Sequence, residues 1–466
     1  MTRRFKTLRS CFLLFCVAVI LAFTSTASAQ WNEQVLYSFQ GLPDGAVPVG
    51  GIVFGEIGSL YGATTDGGSS ACAGVAECGT VFQLAPPAKQ GDPWTETVLY
   101  VFRGRAQNDG ATPGGGLVMD ASGNLYGTTS YDGTGLCRLL GSVVGCGTVY
   151  ELSPPAQPGG AWTEKVLYSF QGGNDGNVPV GDLVFDKAGN LYGATLFGGG
   201  KGTNCNNLYG YCGTIFELSP PKASVSGRWT EKVLYSFEGI GPGGTIGDGG
   251  NPNGGLVLDE TGTVYGTTYY GGGGTAICRP QGCGTAFELL PPKHEGGTWT
   301  EKVLHRFQNR PSDGAGPNAG LVLVNGTLYG TTAGGGNHED GVVFELQPPA
   351  GGNGSWVEGL IHVFTGGSDG GGPTSLILGP DGIFYGSADG GSLSRGGLIF
   401  QMQPPVEKGG VWNFVTEYNF GGPPNGYDPM DLRLVKGRNN MYGSTLYGGT
   451  GQACNGGCGT VFEVTP

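Results

Sequence analysis

Seven tryptophans fall one to a repeat, at Trp31, Trp94, Trp162, Trp229, Trp299, Trp356 and Trp412. Each opens a run of alternating apolar and polar residues, clearest in Trp162-Thr-Glu-Lys-Val-Leu-Tyr-Ser-Phe170. The runs end at Phe39, Phe102, Phe170, Phe237, Phe307, Phe364 and Phe420. Period-two alternation is the mark of a strand with one face buried. A second motif, Tyr followed by Gly, recurs at Tyr61, Tyr126, Tyr192, Tyr265, Tyr329, Tyr385 and Tyr442, at spacings of 65, 66, 73, 64, 56 and 57. One whole unit reads from Pro113 to Phe170. It holds Gly116-Leu-Val-Met-Asp120, Leu125-Tyr-Gly-Thr-Thr129, Gly147-Thr-Val-Tyr-Glu-Leu152 and the Trp162 run, separated by turn residues. Four short antiparallel strands at this period predict a propeller blade.

The two ends of the chain predict a closed ring. It starts on the Trp strand, the fourth of the unit, and finishes on the third, Gly459-Thr-Val-Phe-Glu-Val464. Setting Gln34 to Phe39 beside Gly459 to Val464 completes a seventh blade and removes the exposed terminal edges. The expected fold is therefore all-β: a seven-bladed β-propeller of four antiparallel strands per blade, formed by residues 30–466 as a single domain. An open β-solenoid or bead-like array is the alternative.

Residues 1–29 read as a signal peptide. Arg3, Arg4, Lys6 and Arg9 precede an apolar stretch from Cys11 to Phe23, and Ala27-Ser-Ala29 offers a small-residue cleavage site before Gln30. The stretch is shorter than the roughly 20 residues a membrane span needs. A secreted or periplasmic protein, with no membrane span in the mature chain and acting as a monomer, is expected. The formal charge of −13 includes the four cationic leader residues, so the exported part is more acidic still. Phosphate recognition needs a basic stripe, and no Lys/Arg cluster follows Arg9, so nucleic acid is not an expected partner. Glycine supplies 96 of 466 residues, a share of a kind that can signal disorder. Here the glycines stand at fixed places between apolar runs, as turn chemistry requires.

After the leader, ten cysteines occur as close pairs: Cys72 and Cys78, Cys137 and Cys146, Cys205 and Cys212, Cys278 and Cys283, Cys454 and Cys458. All lie between the second and third strands. Repeats five and six lack both members together, which is how bonded partners behave. Five local disulfides are expected, each contributing about 2 to 3 kcal/mol by restricting the unfolded chain. Two thiols per repeat do not make a zinc site.

Every repeat also carries Asp-Gly-x-x-Pro or a variant ahead of its first strand, at Asp44, Asp109, Asp175, Asp248, Asp313 and Asp369, with Asn425 in the seventh. In an up-and-down blade these turns share a face with the cysteine loops, and they are expected to ring the channel mouth. Asp-Gly is a favoured turn in its own right. The competing reading gives some of the ring a polar ligand or a cation, with calcium preferred because carboxylates and carbonyls are hard oxygen ligands. Departures from the repeat mark the asymmetric candidates. Asp182 and Asp431 replace Gly or Ala ahead of the first-strand apolar run, and Asp428 is close by. His305 and His362 occupy the tyrosine position of the Trp strand and read as packing substitutes. Glu33, Glu96, Glu164, Glu231, Glu301 and Glu358, two residues after their Trp, read as an exposed strand face.

The succession Leu-Tyr-Gly-Thr-Thr, Gly-Gly and Gly-Thr-Val-Phe-Glu-Leu resembles the GloVer-type tandem repeats of secreted bacterial proteins, over residues 33 to 464. The resemblance implies export and a repeated β fold and brings no catalytic residue with it. No sorting tail follows, so surface anchoring is not expected. No nucleophile elbow, phosphate loop or His-Glu metal motif is present. The reading that follows is a non-catalytic binding platform for extracellular glycan or protein, without a required cofactor. The alternative is an extracellular hydrolase or lyase acting on carbohydrate or lactone through a divalent cation.

Overall fold

The computed structural model describes residues 31–466 apart from positions 71, 73–76, 140–141, 158, 201–211, 223–226, 242–244, 274–277, 279–280, 295, 352–353, 391–395, 408 and 436–439. The expected leader, residues 1–29, and Cys205 lie outside the described residues.

Seven antiparallel sheets follow one another around the ring. Blade one consists of Gly45–Phe54, Leu60–Gly67, Thr80–Ala85 and Thr95–Val101, paired in that order from the axis outward. In blades two, four and five the inner strand is split, as in Gly110–Pro113 followed by Val118–Met119. Blade seven joins the two chain ends. Gly426–Leu434, Met441–Gly448 and Thr460–Thr465 are completed by Asn32–Ser38, which runs antiparallel to Thr460–Thr465 in a register from Asn32 opposite Thr465 to Ser38 opposite Thr460. The Phe39 amide extends the ladder with a bond of 3.1 Å to the Gly459 carbonyl. The expected closure is therefore present, and the solenoid alternative is not.

Each tryptophan and phenylalanine packs across a seam between blades. Trp162 of blade two lies 6.0 Å from Tyr61 of blade one, and the contact repeats in Trp229 on Tyr126, Trp299 on Tyr192, Trp356 on Tyr265, Trp412 on Tyr329 and Trp31 on Tyr385. At the other end of the Trp strand, Phe39 meets Phe82 of the next blade edge-on at 5.0 Å, and Phe170 meets Phe216 at 5.2 Å. All four of these rings are fully buried. Burying each stabilises the ring by about 1.5–3 kcal/mol. The glycine after the motif tyrosine is explained by this layer: a Cβ on Gly62 would stand 2.5 Å from the Phe82 ring, and one on Gly193 would stand 2.5 Å from the Phe216 ring.

A backbone bond also crosses each seam beside the disulfide loops. The amide of the residue before each linker proline donates to the preceding blade, as in Val47 to the Cys458 carbonyl at 2.9 Å, Thr112 to Cys78 at 2.9 Å and Val178 to Cys146 at 3.0 Å. That residue has positive φ in all seven linkers: Val47, Thr112, Val178, Asn251, Gly316, Gly372 and Asp428. The linkers and cysteine loops thus share one face, as expected from the strand count. Among the described residues no helix is long and apolar enough to cross a membrane.

Candidate functional site

The six turn aspartates do not stand free around the channel. Each is bonded within a seam. The Tyr37 hydroxyl donates to Asp44 Oδ2 at 3.0 Å, the Gln40 amide donates to the same oxygen at 2.9 Å, and the Gly45 amide donates to Oδ1 at 2.7 Å. Asp109 repeats this with Tyr100, Arg103 and Gly110, and Asp175 does so with Tyr168 and Gln171. Asp248 accepts from Tyr235 at 2.5 Å and from the Glu238 amide at 2.8 Å. Histidine replaces tyrosine at the last two: His305 lies 3.1 Å from Asp313, and His362 lies 3.2 Å from Asp369. The histidines therefore do fill the tyrosine position. The aspartates form a ring of joints, as the turn reading of Asp-Gly has it, because the turn folds each one back onto its own linker and strand.

The glutamates that follow the tryptophans belong to the same joints. They are half-buried rather than an exposed strand face, and Oε1 of Glu33, Glu96, Glu164, Glu231, Glu301 and Glu358 is buried without a hydrogen-bond partner. Burial, and then the Asp44 charge, push the Glu96 carboxyl up to about 7. Glu164 beside Asp109, Glu231 beside Asp175 and Glu301 beside Asp248 are held at about 7 for the same reasons. In the seventh linker Asn425 takes the aspartate's place and donates to Glu33 Oε2 at 2.9 Å. In blade six Phe414 takes the glutamate's place and stacks on His362 at 4.1 Å.

The axis holds a different cluster. A cavity of about 630 Å³ is lined by inner-strand residues, Asp182, Asp431 and Arg433 among them, and by none of the seven turn residues. Arg433 of blade seven donates through Nη2 to Asp182 Oδ2 of blade three, and the Gly116 amide of blade two donates to Asp182 Oδ1 at 2.7 Å. Glycine makes room for both side chains. A Cβ on Gly51 would lie 2.3 Å from the guanidinium carbon, and one on Gly116 would lie 2.6 Å from Asp182 Oδ1. Burial and the Asp182 charge raise the Asp431 carboxyl against the opposing pull of Arg433. Asp182 and Asp431 are thus brought together, whereas Asp428 faces Asp389, whose carboxyl is pushed up to about 6 by burial and by Asp428. Sequence reasoning passed over Arg433. It was legible, since the other repeats carry Val53, Val118, Val184, Val257, Val322 and Ile377 there. Two carboxyls beside one guanidinium can bind a polar group or move a proton.

On the linker face, bridges join Cys72 to Cys78, Cys137 to Cys146, Cys278 to Cys283 and Cys454 to Cys458, each within its own blade. The second strands deliver half-buried aromatics there: Tyr131, Phe197, Tyr269, Tyr270 and Tyr447. A groove of about 280 Å³ runs between Tyr269, Tyr270, the Cys278 to Cys283 bridge, Gly316 and Gly334. Tyr427 and Tyr447 stack at 5.3 Å, and Tyr269 meets Tyr270 edge-on at 4.8 Å.

In sequence, the family described as the Gloeobacter/Verrucomicrobia repeat matches residues 21–203 and 136–358. No curated protein matches the chain. Solved structures of similar shape include PQQ-bound aldose sugar dehydrogenase from Streptomyces coelicolor, at 14% identity, 94% of this chain, 98% of that one and a TM-score of 0.41. Others are Pseudomonas fluorescens PhoX in complex with vanadate, at 9%, 94%, 95% and 0.43, and the pyranose dehydrogenase PQQ domain from Coprinopsis cinerea, at 11%, 94%, 98% and 0.41. These likenesses carry no substrate over to this chain.

Proposed function

The chain belongs to the Gloeobacter/Verrucomicrobia repeat family, and from that footing we propose that it is a secreted, disulfide-stapled propeller that binds extracellular glycan without altering it. The observation that carries this reading is the aromatic groove at Tyr269 and Tyr270, floored by backbone at Gly316 and Gly334. Aromatic faces beside a few polar groups suit a ligand with one apolar and one polar surface, and a pyranose ring is such a ligand. Local bridges in four blades support an oxidising compartment, in keeping with residues 1–29 as a removed leader.

A glycan array followed by calorimetry tests the proposal. At least one polysaccharide class should be retained, and Tyr269→Ala should weaken its binding about tenfold, the scale of about 1.4 kcal/mol. An array without hits, or affinity indifferent to Tyr269 and Tyr270, removes the reading.

A second reading, a carbohydrate- or lactone-directed hydrolase or lyase, is supported by Asp182, Asp431 and Arg433 in the axial cavity. Asp431, its carboxyl raised by burial and the Asp182 charge, would be the proton donor and Arg433 would orient Asp182, with calcium as the added cation of that scheme. Turnover of a glycan or lactone panel that is abolished in Asp431→Asn favours it, and sensitivity to a chelator decides the role of the ion.

A further inference from the structure

One seam differs from the other six in a way that changes its chemistry. Between blades four and five, His305 stands where five seams carry tyrosine, while the turn aspartate, Asp313, and the outer-strand glutamate, Glu358, are both kept. A tyrosine hydroxyl spends its proton on the aspartate, whereas a neutral imidazole offers a nitrogen lone pair. His305 Nε2 lies 3.1 Å from Asp313 Oδ1 and 3.6 Å from Glu358 Oε2. One donor atom from each residue lies within 4.8 Å of the other two.

We propose that His305, Asp313 and Glu358 form a divalent transition-metal site, with Zn²⁺ the ion this donor set fits. With bonds of about 2.0–2.1 Å, tetrahedral ligand atoms stand about 3.3–3.4 Å apart, and the two nitrogen-to-oxygen separations bracket that edge. The Asp313 and Glu358 side chains are 8% and 10% exposed, while His305 keeps 18%, so water reaches a fourth position from one side. Glu358 Oε1 is buried without a hydrogen-bond partner. At the tyrosine seams the matching oxygen is orphaned too. The difference here is a nitrogen ligand within reach of both carboxyls. The imidazole is held by its edge-on contact with Phe307 at 4.9 Å. Calcium asks for six to eight oxygens, whereas one imidazole and two carboxylates with an open position match zinc. The next seam is a natural control: it has His362 and Asp369, but Phe414 occupies the glutamate position and leaves two ligands.

The test titrates Co²⁺, then Zn²⁺, into chelator-treated protein purified with its disulfides formed and any free thiol alkylated. The expected result is one equivalent of Co²⁺ with the strong visible absorption of low coordination, displaced by Zn²⁺ and retained in His362→Tyr. His305→Tyr and Glu358→Gln should weaken binding by at least the roughly 100-fold that loss of an outer-shell partner costs. His305→Tyr installs the residue used by five seams, so its unfolding midpoint in chelator should match the wild type. Wild-type protein indifferent to both ions, as an imidazolium bridging two carboxylates would be, overturns the proposal. So does an equivalent of metal that survives His305→Tyr.

Discussion

Arg433 and Asp182 are joined across the propeller axis although 251 residues separate them in the chain. Blade seven is thereby tied to blade three, and blade two joins them through the Gly116 amide on the same carboxylate. The guanidinium keeps a third of its side chain's exposure and the carboxylate about a quarter. The pair therefore sits between the surface case, worth up to about 1 kcal/mol, and the buried case, where losing one partner costs about 3–5 kcal/mol.

Restoring the common repeat residues one at a time and then together separates the pair from its surroundings. Arg433→Val strands Asp182 and should cost about 1–3 kcal/mol, and Asp182→Gly, which leaves Arg433 with Asp431 as its counter-charge, should cost less. The double variant leaves Asp431 as the remaining member of the axial cluster, relieved of the Asp182 charge, and should recover part of the loss in urea unfolding. A double variant as weak as the sum of the singles would show that the two groups are not coupled.

The seam glutamates give stability a pH dependence. Glu96, Glu164, Glu231 and Glu301 have an ordinary value of 4.5 and are held at about 7 in the folded ring. Folding therefore takes up protons between those values. The sign follows: their contribution is whole below pH 4.5 and is lost as pH rises through about 7. Asp120 and Asp259, lowered by the hairpin hydrogen bonds they accept although burial opposes the shift, act in the opposite sense and lose their contribution only under strong acid. The melting temperature should thus be higher at pH 5 than at pH 8. Glu164→Gln should flatten that slope, and a melting temperature that rises from pH 5 to pH 8 would contradict the account.

The blades, the local bridges and the closure of the ring were legible because each depends on residues that repeat in phase. Trp162 announces a strand, and Cys278 with Cys283 announces a loop, without knowledge of any other blade. The seam joints were not legible. Asp44 and Glu96 stand 52 positions apart, and they meet because of the angle at which blade one is set against blade seven. Alternation alone placed Glu96 on the outer face of its strand. It could not show that the neighbouring blade covers that face. Arg433 was a different failure: the departure from valine was visible, and only its partner across the axis gave it meaning.

Thr112 adopts φ of 59°, and its hydroxyl is buried without a partner. A β-branched residue in the left-handed region costs about 1–2 kcal/mol. The third-to-fourth linker carries Asn251 there, a residue type that tolerates positive φ, whose Nδ2 donates to the Leu196 carbonyl at 2.8 Å while its Oδ1 is left without a partner. Thr65 is the matching position in blade one. Thr112→Asn should therefore stabilise the protein by about 1 kcal/mol, read as a higher urea midpoint with unchanged slope. A loss of stability would mean that the threonine methyl contributes more packing than the strain removes.

Closure at blade seven carries the heaviest single dependence on one short segment. Asn32–Ser38 supplies the ladder to Thr460–Thr465, Phe39 packs on Phe82 of blade one, and Trp31 packs on Tyr385 of blade six. One strand thus holds three blades. Removing residues 30–40 would expose the Thr460–Thr465 edge and uncover Phe82 and Tyr385 together. An unpaired edge of this kind invites pairing with another chain. The truncated protein should unfold well below the wild-type midpoint and should elute partly as oligomer in size-exclusion chromatography. Adding a synthetic peptide of residues 30–40 should recover monomer by filling the vacant strand position. A truncated chain that stays monomeric with an unchanged midpoint would mean that the ring is held by its other seams alone.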